Sequence, residues 1–183
     1  GVEAFEGLDV FQLEADLEAA DATYADENYR DAVARYSQVL EVLPDLAVLN
    51  LQIGNAYRAI GADDEALVAY KALAEADPTS VEAKTEIQRT ENMMKEMATF
   101  SGADLYSLAD LAFAQDELSR AGTLFERAAR LDPTSEKPVF KLAVIALKRG
   151  HEELAKQHYQ KVVELAPDSE EAAEAKATLS ALP

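Results

Sequence analysis

One spacing recurs four times along the chain and constrains its fold more than any other feature. An alanine is followed four residues later by an aromatic residue and twelve residues later by a proline. The four sets are Ala32, Tyr36 and Pro44; Ala66, Tyr70 and Pro78; Ala121, Phe125 and Pro133; and Ala155, Tyr159 and Pro167. The first two sets lie 34 residues apart, and so do the last two. Residues four apart share a helix face, and proline cannot continue a helix, so each set predicts one helix that ends at a defined point.

A fixed period of 34 residues with two helices per period is typical of tetratricopeptide repeats, and the chain resembles that family over most of its length. The second copy also has Ile53, Gly54 and Tyr57 at family positions, whereas the family's early tryptophan is absent from the chain. The resemblance implies an all-α fold, an alpha-alpha superhelix of four helix-turn-helix repeats. It also implies a function, the binding of proteins or peptides in a groove lined by the first helices.

The repeat pattern predicts ten helices arranged in two lobes. They are Leu8–Ala25, Asn28–Val42, Leu46–Ile60, Asp63–Ala76, Val81–Ala98, Ala103–Gln115, Leu118–Leu131, Glu136–Arg149, Glu152–Leu165 and Ser169–Leu182. The fifth helix has no repeat pattern and interrupts the alternation, so we expect a division near Thr99–Gly102. The expected parts are an N-terminal tail with the start of the first helix (1–12), repeats 1 and 2 (13–80), the extra helix and a linker (81–101), repeats 3 and 4 (102–169) and a C-terminal capping helix (170–183).

The extra helix has one stripe of small and apolar residues on an otherwise charged surface. It contains all three methionines of the chain, Met93, Met94 and Met97. One interpretation is that this helix covers the end of the second repeat, as terminal helices do in repeat proteins. The other is that the methionines form an adaptable contact surface for a partner or for a second copy of the chain. The sequence leaves both open.

The charge of the chain is strongly negative and unevenly distributed. The net charge is −18, and residues 1–46 alone contain 12 acidic and 2 basic residues. Such a surface repels phosphate groups, so neither nucleic acid nor an anionic membrane is an expected partner. The apolar runs are too short for membrane insertion. The acidic surplus is compatible with three interpretations: a soluble surface, attraction of a basic partner to the N-terminal half, or a surface adapted to high salt.

No residue pattern indicates catalysis. His151 and His158 lie seven residues apart, too far for one helix to bring both to a shared metal. Glycine-rich phosphate-binding motifs are absent, and no carboxylate has a marked apolar setting that would raise its pKa for acid–base work. We therefore expect no enzyme activity, no metal and no cofactor.

Compartment and chain ends are less constrained by the sequence. The chain has no cysteine, which is compatible with the cytoplasm and with an exported or periplasmic location. It begins with Gly1 rather than methionine, so we expect an excised or processed product with further sequence before Gly1.

The first helices of the repeats offer candidate binding residues. By the resemblance, the groove residues are expected to be Asn55, Arg58, Tyr106, Asp110, Phe140 and Lys141. Aromatic residues with polar neighbours are typical of binding patches. An extended peptide would place apolar side chains on the aromatic rings, while Asn55 and the lysines would bond its backbone or its acids. The alternative for Phe140, and for Phe113 on the preceding repeat, is a place in the core between repeats.

The sequence thus predicts a non-catalytic scaffold that binds a partner protein or peptide on its concave surface, as a module of a larger protein. The alternative is a structural element that homo-oligomerises through residues 81–98. Molar mass in solution distinguishes the two hypotheses.

Overall fold

The computed structural model of the chain describes residues 10–183, and the described part is helical without strands. Its helices are α1 (Val10–Ala25), α2 (Tyr29–Val42), α3 (Leu49–Ala59), α4 (Asp63–Ala76), α5 (Val81–Met97), α6 (Gly102–Ala114), α7 (Leu118–Leu131), α8 (Glu136–Lys148), α9 (Glu152–Leu165) and α10 (Glu170–Ala181). Sequential helices pack as pairs, α1 with α2, α6 with α7 and α8 with α9, and α10 packs against α9. The predicted all-α fold of the alpha-alpha repeat class is therefore confirmed.

Helix boundaries follow the sequence prediction with one instructive difference. The bounds of α4, α7 and α9 are those predicted, whereas the predicted start of the first helix at Leu8 lies outside the described residues. The apolar pattern predicted that the third helix begins at Leu46, but α3 begins at Leu49. The amide groups of residues 49–51 donate to carbonyl groups three residues earlier, which is the bonding of a tight turn rather than of an α-helix.

The recurring alanines and aromatic residues form the centre of the core. Each of the four alanines is fully buried, and the aromatic residue one turn later is at most 3% exposed in every copy. Alanine lets the two helices of a pair approach closely, and the aromatic ring then fills the space between them. The recurring spacing in the sequence therefore places the residues that pack at the centre of each helix pair.

Capping interactions are present at the ends of several helices. Gly61 has a φ of +66°, the left-handed conformation that glycine adopts without strain at the end of a helix. At the start of α5 the hydroxyl of Ser80 accepts a hydrogen bond from the amide of Ala83 at 3.1 Å. At the start of α6, Ser101 and Asp104 form a reciprocal capping box, in which each side chain accepts from the other residue's amide.

The chain divides into two compact units. The first extends to Arg58 and also contains Ala62–Met94, and the second contains Ala59–Gly61 and Lys95–Pro183. The finer division into repeats, linker and capping helix that the sequence suggests stays a prediction.

Two tyrosines of the first unit tie the helices of a pair together in the same way. The hydroxyl of Tyr36 donates to the Asp21 carboxylate at 2.6 Å, and that of Tyr70 donates to the Asn55 amide oxygen at 2.7 Å. In both cases the acceptor lies 15 residues earlier, on the first helix of the pair. Burial is the main cause that raises the pKa of both hydroxyl groups.

The raised pKa of Tyr70, about 12 against an ordinary 10.0, predicts a loss of stability in alkali. Because the folded state favours the neutral hydroxyl, its contribution is complete below pH 10 and is lost as the pH rises through about 12. Urea unfolding of Tyr70→Phe should show a loss of about 1 kcal/mol at neutral pH, from the missing hydrogen bond. Above pH 10 this variant should lose less stability than the wild type. An equal alkaline loss in both proteins would contradict the assignment.

A buried hydroxyl on α5 predicts a stabilising substitution. Thr90 is fully buried, and within residues 10–183 its hydroxyl is the buried side-chain oxygen that lacks a hydrogen-bond partner. Thr90→Val keeps the shape and removes the unsatisfied group, so it should raise the free energy of unfolding by about 1 kcal/mol. Thr85→Val is the matched control, since Thr85 is exposed on the same helix and donates to the Val81 carbonyl at 2.8 Å. Chemical denaturation measures both, and a less stable Thr90→Val would show that the hydroxyl has a partner.

Candidate partner-binding surfaces

In the first unit, both expected binding residues make contacts inside the chain. Asn55 on α3 accepts the Tyr70 hydroxyl through its amide oxygen, so its amide nitrogen is the group that can donate to a ligand. Arg58, one turn further along α3, forms an ion pair with Glu86 of α5, and Arg89 pairs with the same carboxylate at 3.1 Å. The side chains of Arg58 and Glu86 are only 26% and 15% exposed. A ligand carboxylate would therefore compete with Glu86 for Arg58.

In the second unit, an ion pair connects two of the expected residues. The ammonium of Lys141 on α8 lies 2.6 Å from the carboxylate of Asp110 on α6. Tyr106, one turn before Asp110, is close enough for both charges to act on it. Burial is the largest cause that raises the pKa of Tyr106, and the positive charge of Lys141 opposes the rise. The structure therefore brings Tyr106, Asp110 and Lys141 together.

The aromatic rings of this unit rest on buried rings of the second helices. Tyr106 and Phe113 lie with their ring centroids 5.4 and 6.5 Å from that of Phe125 on α7. Phe140 makes the equivalent contact with Tyr159 on α9, at 5.8 Å and nearly edge to face. All three first-helix rings are half-buried, so each packs on the core and also presents a part to solvent.

Two lysines share one ring at this surface. The ammonium groups of Lys141 and Lys148 each lie 5.0 Å from the centroid of Phe113, within the range of a cation–π contact. Lys148 is exposed and also lies 3.5 Å from the carboxylate of Asp116. We call the whole set the aromatic–lysine patch, which consists of Tyr106, Asp110, Phe113, Phe140, Lys141 and Lys148.

The methionines of α5 are half-buried rather than freely exposed. Met97 packs against the core cluster of the second unit that contains Leu105 and Phe125. Met93 and Met94 are buried to an intermediate degree. The oligomer contact expected at these three residues stays a prediction, tested by light scattering of the wild type and of Met94→Glu.

Other site types have no support within residues 10–183. No group of three histidine, cysteine, aspartate or glutamate residues is placed there to hold a metal ion. His151 directly precedes helix α9 and His158 lies in the middle of that helix, and both side chains are half-buried. Over the same residues, no helix combines the length and apolar character needed to cross a membrane.

Paired helices with a fixed register define a helical-repeat protein, and family comparisons identify the repeat. Residues 48–80 match one tetratricopeptide repeat model, and residues 112–179 match another. Together the two matches cover more than half of the chain. The chain belongs to the tetratricopeptide repeat family, whose members are in general non-catalytic interaction modules, and it is a protein–protein interaction scaffold.

Several solved structures are similar to the chain at low identity. A crystal structure of MamA is 19% identical with a TM-score of 0.43, over 85% of this chain and 92% of that one. MamA 41-end from Desulfovibrio magneticus RS-1 is 15% identical with a TM-score of 0.44, over 86% and 97%. YrrB, described as a TPR protein with an unusual peptide-binding site, is 16% identical with a TM-score of 0.42, over 88% and 90%. No curated protein sequence matches the chain. The family assignment therefore rests on the two repeat matches.

Proposed function

We propose that the second unit binds an extended peptide of a partner protein on the aromatic–lysine patch. The observation that carries this proposal is a set of three half-buried aromatic rings on the first helices α6 and α8, with the ammonium groups of Lys141 and Lys148 over one of them, Phe113. Aromatic side chains such as tyrosine are enriched at the energetic centre of protein interfaces.

The rings are held in place before any ligand arrives. Tyr106 and Phe113 lean on Phe125, and Phe140 leans on Tyr159, and both supporting rings are almost fully buried. Side chains that are already ordered lose little conformational entropy on binding. The exposed parts of these rings therefore offer apolar contact area to a peptide at low cost.

The charges of the patch favour a peptide that also contains acidic residues. Lys141 is half-buried, and its ammonium is balanced by Asp110 and by the Phe113 ring. A peptide carboxylate can replace Asp110 as the counter-ion of Lys141, or bind the exposed ammonium of Lys148. Asp110, once released, can accept a hydrogen bond from a peptide amide. The ligand class is therefore an extended segment that alternates apolar and acidic side chains.

Asn55 and Arg58 are proposed contacts of the first unit. Their contribution is expected to be smaller, because the internal counter-ion is harder to displace. Glu86 is only 15% exposed and pairs with both Arg58 and Arg89, whereas Asp110 is 49% exposed.

Selection from a library of random linear peptides tests the proposal. We expect enrichment of peptides with apolar and acidic residues, and affinity of the enriched peptides should fall about tenfold or more in Tyr106→Ala and in Lys141→Glu. Leu111→Ala is the control for lost apolar area, since Leu111 is exposed on the same helix as Tyr106. Lys161→Glu is the control for charge reversal, since Lys161 is exposed on α9. Isothermal titration measures the four variants, and equal affinity in all of them would refute the patch.

A further inference from the structure

A second surface lies on the first unit, and its lining includes none of the candidate binding residues named above. A groove between the second helices α2 and α4 has a volume of about 480 Å³ and is floored by α3. Its lining is mainly apolar and includes Leu40 of α2, Ile53 and Tyr57 of α3, and Val68 of α4. Val68 is 69% exposed, so part of this apolar lining faces solvent. We call this surface the α2–α4 groove.

Two alanines of α4, Ala69 and Ala72, stand where the other second helices have larger side chains, and this helps to open the groove. In the repeat register Ala66 corresponds to Ala155, so Val68, Ala69 and Ala72 correspond to Gln157, His158 and Lys161 of α9. The residues equivalent to Ala72 in the other three second helices are Gln38, Arg127 and Lys161. Long polar side chains at these positions would fill the space, whereas alanine leaves it open. The alanines that line the opening are therefore specific to this repeat.

Carboxylates stand on both walls of the groove. Glu41 lies on α2, and Glu65, which also interacts inside the chain, lies on α4. Among residues 10–183, neither lysine nor arginine lines the groove. Residues 1–46 of the sequence are also acidic overall, with 12 acidic and 2 basic residues. An occupant with positive charges on either side of an apolar stripe would therefore complement the groove. A second copy of this chain, with a net charge of −18, would be repelled.

We propose that the α2–α4 groove binds an amphipathic helix of a partner protein whose apolar stripe is flanked by lysine or arginine. The α4 wall extends from Glu65 to Ala72, which at 1.5 Å per residue is about 10 Å, or two helical turns. That length admits two or three apolar side chains spaced three and four residues apart. The basic flanks of the same helix then lie beside Glu41 and Glu65.

Fluorescence anisotropy with a synthetic helical peptide tests this inference on the full chain. The probe has leucines spaced three and four residues apart on one face and lysines on both flanks, and a second peptide has serine in place of each leucine. At physiological ionic strength, the leucine peptide should bind about tenfold more tightly than the serine peptide. Val68→Gln and Ala72→Gln, which introduce polar side chains of the kind found on α9, should weaken binding of the leucine peptide by a similar factor.

Val81→Gln is the matched control, since Val81 is 70% exposed and lies outside the groove. It makes the same substitution at the same exposure without a change in net charge, and it should leave the affinity unchanged. Equal affinity of the leucine and serine peptides would overturn the proposal, because binding would then be due to net charge alone. A wild-type dimer that Val68→Gln dissociates would also overturn it, because a second copy would then occupy the groove.

Discussion

Replacing Phe125 with alanine is expected to lower the free energy of unfolding by about 3–5 kcal/mol. The ring of Phe125 is fully buried in the core cluster of the second unit, and the rings of Tyr106 and Phe113 lean on it. Its removal loses the transfer free energy of the ring and leaves a cavity that neighbouring helices cannot fully close. Urea denaturation followed by circular dichroism measures the loss.

Leu131→Ala is the control for this substitution. Leu131 is on the same helix but is 54% exposed, so its replacement should change the free energy of unfolding by at most about 0.5 kcal/mol. Similar losses in the two variants would contradict the central place of Phe125. The milder Phe125→Leu should stay folded and yet weaken peptide binding, because the rings of the patch lose part of their support.

Replacing Gly54 with alanine is expected to cost about 2 kcal/mol, although alanine is the better helix former by about 1 kcal/mol. A Cβ atom on Gly54 would lie 2.6 Å from Cδ1 and 2.8 Å from Cζ of Tyr70. The Tyr70 ring is fully buried and its hydroxyl is held by Asn55, so it cannot move aside. The α3–α4 pair must separate to accept the methyl group.

Gly122 provides the matched comparison. It lies inside α7, and a Cβ atom added there would have no atom within 4 Å. Gly122→Ala should therefore stabilise the protein by about 0.5–1 kcal/mol, through the lower flexibility of the unfolded chain. Thermal or urea unfolding should show changes of opposite sign in the free energy of unfolding for the two variants. A Gly54→Ala variant that is as stable as Gly122→Ala would show that the ring has room to move.

The sequence predicts the helical pairs well because one register repeats. The alanine, the aromatic residue and the proline mark the second helix of each pair, and three of these four helices have the predicted bounds. The predicted start of α3 was wrong by three residues, because an apolar run such as Leu46–Leu51 does not distinguish a tight turn from a helix.

The candidate surfaces were predictable in composition but not in pairing. First-helix register identifies Tyr106, Asp110, Phe140 and Lys141 as neighbours on one face, yet the Asp110–Lys141 ion pair depends on the distance between α6 and α8. The sequence did not identify Glu86 as the partner of Arg58, because α5 has several acidic residues and the sequence does not show which of them faces α3. The α2–α4 groove is visible in the sequence only afterwards, as small residues at Ala69 and Ala72 where other copies have long ones.

Chemical-shift mapping by NMR, with a selected peptide added to the labelled protein, tests the central claim most directly. The proposal predicts that the largest changes fall on the ring resonances of Tyr106, Phe113 and Phe140 and on the Lys141 side chain. It also predicts that these changes are lost in Lys141→Glu. Changes that fall instead on Asn55, on α5 or on the lining of the α2–α4 groove would show that the aromatic–lysine patch is not the binding surface.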